Sequence, residues 1–178
     1  MEKKFELTDN FVINALGIKL FQIKCTKAFK NANEGDLGGY VEKEENLSQS
    51  GDAWVYGDAW VYGNAQVYGN AQVYGDARVS GDAWVSGNAR VSGDAWVSGD
   101  ARVENDHMHC GFDCFGSCNR HTHAYMTNEN KVEIRCGCFR GSIEEFERKV
   151  KETHAGTIYE KQYKAIINLI KIKFGIDG

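Results

Sequence analysis

Proline is missing from this 178-residue chain, so its turns must be made by glycine and short polar side chains. Long apolar runs are missing as well. No stretch approaches the ~18–20 residues needed to span a bilayer, and the start, MEKKFELTDN, lacks the apolar core of a secretory signal. Nor is there an excess of positive charge: 21 Lys and Arg stand against 25 Asp and Glu, a net charge of −4. That argues against direct nucleic-acid binding, because phosphate recognition needs a basic surface. With 42% hydrophobic and 26% charged residues, the composition is that of a folded protein and not a disordered tail. The expectation is a cytoplasmic protein with no membrane partner.

Histidine, cysteine and threonine are absent between Gly51 and Glu104. What fills that stretch is a repeat: GDAWVY GDAWVY GNAQVY GNAQVY GDARVS GDAWVS GNARVS GDAWVS GDARVE, nine hexapeptides without a slip. Valine returns every sixth residue from Val55 to Val103, which matches neither a helix nor a simple strand. A three-walled coil with one hexapeptide per wall satisfies it. Valines 18 residues apart then stack, and Val55, Val73 and Val91 form one of three interior columns. Gly-Asp and Gly-Asn take the corners, where turn and left-handed angles are needed. Coils should lie ~4.8 Å apart, so three of them make a prism about 14 Å long. Val41 and Leu47, six apart, suggest a degenerate lead-in coil. Phe5–Leu7 and Ile18–Ile23 read as strands capping the N-terminal end, and the region after Glu104 is expected to cover the other end.

Absences also narrow the function of the prism. Hexapeptide acyltransferases share this shape but need a catalytic histidine, and ice-binding solenoids need ranks of threonine; the repeats hold neither. No catalytic residue is assigned, and the chain is not expected to be an enzyme. The aspartates at 52, 58, 76, 82, 94 and 100 invite comparison with a nucleic-acid mimic, yet their alternation with asparagine at the corners accounts for their spacing. Residues flanking each valine point outward. Trp54, Tyr56, Trp60, Tyr62, Trp84 and Trp96 form the candidate partner-binding surface, since aromatics and arginine are enriched at interfaces; Tyr68 and Tyr74 lie on it too. Cross-strand laddering that only stabilises the sheet is the competing explanation.

Residues 105–178 differ in character. His121–Thr127 and Lys131–Phe139 read as a hairpin around Asn128-Glu129-Asn130. Ser142 with Glu145 forms a capping box opening a helix with Ile143, Phe146 and Val150 on its apolar face, and a second helix covers about Tyr159–Phe174. Five of the six cysteines lie between Cys110 and Cys138, and all five histidines between His107 and His154. Such a density of soft ligands implies a structural zinc, with Cys114, Cys118, Cys136, Cys138, His121 and His123 as candidates. One hairpin register groups Ala124 and Met126 with Val132, Ile134, Cys136 and Cys138. A one-residue slip would set His121 and His123 opposite Cys136 and Cys138 as a Cys2His2 set. His154, at the end of a helix about 16 Å long, is expected far from Cys136. Neither an iron–sulfur spacing nor a papain-like signature is present.

Gly35-Asp-Leu-Gly-Gly-Tyr-Val41, Glu45-Asn-Leu-Ser48 and Gly51-Asp-Ala-Trp-Val55 resemble the lead-in segment of YdcK-like and phage-borne hexapeptide-repeat proteins. Cys136-Gly-Cys-Phe139, Gly141, Phe146, Val150 and His154 resemble a domain common in phage and prophage proteins. Cys136, Cys138 and His154 match that pattern, whereas Cys110, Cys114, Cys118, His121 and His123 stand outside it. The expected fold is mainly β: an N-terminal β cap (1–36), a short parallel β-helix of about three to four coils (37–104), left-handed as the resemblance implies, and a Cys/His-rich α+β domain (105–178). The resemblance also implies a phage setting. The functional expectation is a non-enzymatic protein that binds and inhibits a host protein, such as a CRISPR-Cas or other defence component (an anti-CRISPR). The alternatives are a self-associating solenoid or virion component, a homo-oligomer in either case, and, least expected, an enzyme of the C-terminal domain.

Overall fold

The computed structural model describes residues 2–176, which divide into two compact units, residues up to Asp106 and residues from His107. In the first unit, β1 (Phe5–Ile13), β2 (Lys19–Cys25) and β3 (Leu37–Val41) form an antiparallel run that leads into the repeats. Each repeat contributes a two-residue strand: Trp54–Val55, Trp60–Val61, Gln66–Val67, Gln72–Val73, Arg78–Val79, Trp84–Val85, Arg90–Val91, Trp96–Val97 and Arg102–Val103, here β4 to β12. Strands three repeats apart pair in parallel, giving three walls: β3-β5-β8-β11, β4-β7-β10 and β6-β9-β12.

The register is the stacking the 18-residue coil requires. Val55 pairs with Val73 and Val73 with Val91, and all nine repeat valines and all nine repeat alanines are buried. Corner glycines from Gly51 to Gly99 hold φ between 54° and 73°. A Cβ on Gly51 would stand 2.6 Å from the Gly69 carbonyl oxygen, so both the angle and the stacking distance exclude larger residues. Beside them the corner amides form ladders: Asn64 Nδ2 donates to Asp82 Oδ1 at 3.0 Å and Asn70 Nδ2 to Asn88 Oδ1 at 3.1 Å. The Asp/Asn alternation has a structural use.

Val41 pairs with Val61, and Leu47 bridges to Val67, so the lead-in coil exists and makes about four turns in all. The N-terminal end of the stack exposes carbonyls of the first repeats, because N–H groups on either side of each interior valine donate to the coil after it (Trp54 N–H to the Ala71 carbonyl at 3.0 Å) and the matching carbonyls of the first coil face the cap. Several of those carbonyls are met by the cap. Lys4 Nζ donates to Ala53 at 2.8 Å, Asn31 Nδ2 to Asp52, and Asn46 Nδ2 to Ala65 at 2.8 Å and Gly63 at 3.1 Å. Backbone N–H groups of Tyr40, Glu42 and Ser48 meet Ala59, Val61 and Val67. Buried carbonyls left unpaired would cost about 1–3 kcal/mol each, so this end is closed by design of sequence and not by burial alone.

The second unit is a four-stranded antiparallel meander, β13 (His109–Phe115), β14 (Arg120–Met126), β15 (Val132–Cys136) and β16 (Phe139–Ser142), followed by α1 (Ile143–His154) and α2 (Ile158–Phe174). Ser142 Oγ accepts from the Glu145 N–H and the Glu145 carboxylate reaches back to the Ser142 N–H, the expected capping box. Ala124, Ile134 and Cys136 share a core with Ile143, Phe146, Val150, Tyr163, Ile166, Ile167 and Ile170. The expected strand 131–139 is instead two strands around the turn Gly137-Cys138, since Cys136 pairs with Phe139. A two-residue hairpin needs a positive φ, and Gly137 supplies 59°. Among the described residues no helix is long and apolar enough to cross a membrane.

Candidate interaction surface and cavity

The fourth residue of each repeat faces outward, and stacking aligns these residues by column. One wall carries Trp60, Arg78 and Trp96 in order; the next carries Gln66, Trp84 and Arg102; the third carries Trp54, Gln72 and Arg90. The guanidinium carbon of Arg78 lies 4.8 Å from the Trp60 ring centroid and 5.9 Å from that of Trp96. Arg102 lies 3.8 Å over Trp84, and Tyr68 meets Trp84 edge-on at 6.1 Å. Trp84 remains 39% exposed and Tyr74 37%.

Two of the six aromatic positions expected at a partner surface are not there. Trp54 is 1% exposed, because Phe5 and Phe29 pack edge-on against its ring at the capped end. Tyr62 is also buried. Tyr56 is half-buried, with its hydroxyl donating to the Asn31 carbonyl. Trp60, Trp84 and Trp96 remain on the surface, and Arg78, Arg102, Tyr68 and Tyr74 join them. The arginines were legible once the repeats are written three to a line, because Trp and Arg alternate down a column.

In the second unit the candidate metal ligands fall on opposite faces of the sheet. Thr122 pairs with Cys136 and His123 with Arg135, which is the register that groups Ala124 with Ile134 and Cys136. The Cys2His2 register is therefore not adopted: slipping the strand would turn Ala124, a core residue, to the other face. His121 and His123 lie on the face away from α1 and α2 with His109. His109 Nδ1 and His123 Nε2 are 3.0 Å apart, and His121 Nδ1 is bonded to Asp113 Oδ1. Cys114 is exposed, at a φ of 63°. Among the described residues no three His, Cys, Asp or Glu side chains are grouped as metal ligands.

Cys118, Cys136, Cys138 and His154 line one cavity of about 260 Å³, together with Arg120, Lys149 and Tyr163. The expectation that His154 lies far from Cys136 is corrected here. β16 runs away from Cys136 and α1 runs back antiparallel to it, so the end of the helix returns to the sheet's Cys136 edge. His154 stacks on Tyr163 with ring centroids 5.5 Å apart, and the Tyr163 hydroxyl is 3.8 Å from Cys136 Sγ. Thr122 Oγ1 donates to the same sulfur at 3.3 Å. Burial, with Cys136 beside it, pushes the Tyr163 hydroxyl up to about 12, so it remains a neutral donor at physiological pH.

The YdcK beta solenoid repeat model matches residues 71–87 and, overlapping by five residues, 83–99. The repeats are similar to those of the YdcK β-solenoid family. The two matches are offset by two hexapeptides, within the coils whose outer columns carry Arg78, Trp84 and Trp96. The match covers residues 71–99, part of the solenoid, and leaves the four-stranded unit outside it. No curated protein matches the chain.

Proposed function

We propose that this YdcK-type β-solenoid is a non-enzymatic binding protein whose β6-β9-β12 wall, centred on Trp84, Arg102 and Tyr68, receives a partner protein. What carries the reading is the contrast between two tryptophans at the same repeat position. Trp54 is covered by Phe5 and Phe29, whereas Trp84 is held rigid by Arg102 and Tyr68 and left 39% exposed. Preordered aromatic and arginine groups lose little freedom on binding and are the usual anchors of interfaces. The resemblance to phage-borne repeat proteins makes a host protein, for instance a component of a defence system, the expected partner.

The closed N-terminal end bears on the alternative of a self-stacking filament. Its carbonyls are already occupied by Lys4, Asn31, Asn46 and the lead-in coil, so a second solenoid finds no open edge there to extend. Light scattering over a concentration series should show a particle of fixed mass. Growth with concentration that Trp84→Ser abolishes would assign the wall to self-association instead. Capture from host extract by the wild-type chain, lost on Trp84→Ser, tests the partner directly.

A further inference from the structure

We propose that the cavity between the Gly137-Cys138 turn and the end of α1 binds a small organic anion, a carboxylate on a compact apolar body. The inference is independent of the partner-binding wall. Phe139, Phe146 and Val150 contribute an apolar floor, while Arg120 and Lys149 bring two fixed cations to the lining and no aspartate or glutamate is part of it. In a chain with more acidic than basic residues, that local imbalance selects for negative charge.

The arginine supplies the second argument. Arg120 lies flat against Gly137, where a Cβ would stand 2.5 Å from Nη1, and among the described residues its guanidinium has no carboxylate partner. Lys149 reaches Glu152 only at 3.8 Å on its exposed side, a pair of little strength. Tyr163 adds a neutral hydroxyl donor. The volume of about 260 Å³ falls at the lower edge of ligand pockets, roughly 300 Å³ and upward, so a nucleotide or coenzyme A is too large. The same guanidinium argues against a metal held by the surrounding thiols, since it brings a positive charge between Cys136 and Cys138.

The test titrates the full-length, 15N-labelled protein with 1-naphthoate and with its neutral counterpart, 1-naphthamide. Naphthoate should move the amide signals of Cys136, Cys138, Val150 and His154 together. Naphthamide, and naphthoate added to Arg120→Gln, should each bind at least about tenfold more weakly, as expected when a charge-assisted bond is lost. Arg120→Lys should recover part of the affinity. Arg120 is exposed, so Arg120→Gln is expected to retain the wild-type spectrum elsewhere and report on binding alone. Absence of cavity shifts at millimolar naphthoate, or equal affinity for the charged and neutral probes, would overturn the proposal. So would one equivalent of zinc in the purified protein whose removal by chelator shifts these same signals.

Discussion

The guanidinium of Arg102 lies 3.8 Å over the indole of Trp84, one coil below it on the same wall. The pair fixes two long side chains in an exposed place without burying either, and its Nη1 also donates to the Asp82 carbonyl at 3.0 Å. A double-mutant cycle with Trp84→Ala and Arg102→Ala, read by urea unfolding, should return a coupling of about 0.5–1 kcal/mol. A coupling of several kcal/mol would mean that the pair exists for stability, and the binding reading would lose its main support.

Val73 sits between Val55 and Val91 in the middle of an interior column and is fully buried. Val73→Ala removes two methyl groups from a site whose column neighbours are fixed by the strands paired on either side, so the cavity collapses little. The expected loss is about 2 kcal/mol, measured by chemical denaturation. Gln72→Ala, one residue away on the half-buried outer side, should cost less than about 0.5 kcal/mol.

Lys4 closes the N-terminal end by donating to Ala53, and burial pulls its ammonium down from 10.5 to about 8, partly opposed by Asp52. Because the folded value is the lower one, the unfolded chain binds more protons between about pH 8 and 10.5. Burying the charge therefore costs most below pH 8, and the cost is withdrawn as pH rises through that window. Wild-type stability should gain on that of Lys4→Met between pH 7 and pH 10. A difference that stays flat or shrinks would contradict the burial of this amine.

The thiols should separate by accessibility. Cys114, Cys118 and Cys138 are exposed, whereas Cys25 and Cys136 are buried and burial pushes the Cys110 thiol up to about 11. Native alkylation at neutral pH, mapped by mass spectrometry, should modify the first three quickly and Cys110 only on unfolding. Rapid labelling of Cys110 would place β13 wrongly.

The solenoid was legible because a six-residue period admits few geometries, and the columns follow from it arithmetically. The caps were not. Lys4, Asn31 and Asn46 reach carbonyls 17 to 49 residues away, and nothing local marks them as donors. Nothing local marks β13, because its inward residues, Cys110 and Phe112, alternate with His109, Gly111 and Asp113, which do not read as strand formers. The return of His154 to the cavity that Cys136 lines depends on the reversal at Gly137-Cys138, where the sequence reads as one extended strand. The split of His121 and His123 from Cys136 followed from a register that the apolar alternation already favoured.

If the Trp84 wall, and not the solenoid as a whole, receives a protein partner, capture must depend on that wall. The most direct measurement is quantitative capture from host extract on three immobilised chains: wild type, Trp84→Ser and Arg90→Ser, the last on the β4-β7-β10 wall. A protein retained in stoichiometric amount by wild type and Arg90→Ser but lost by Trp84→Ser is the predicted result. Identical capture by all three chains, or capture lost equally in both variants, would contradict it.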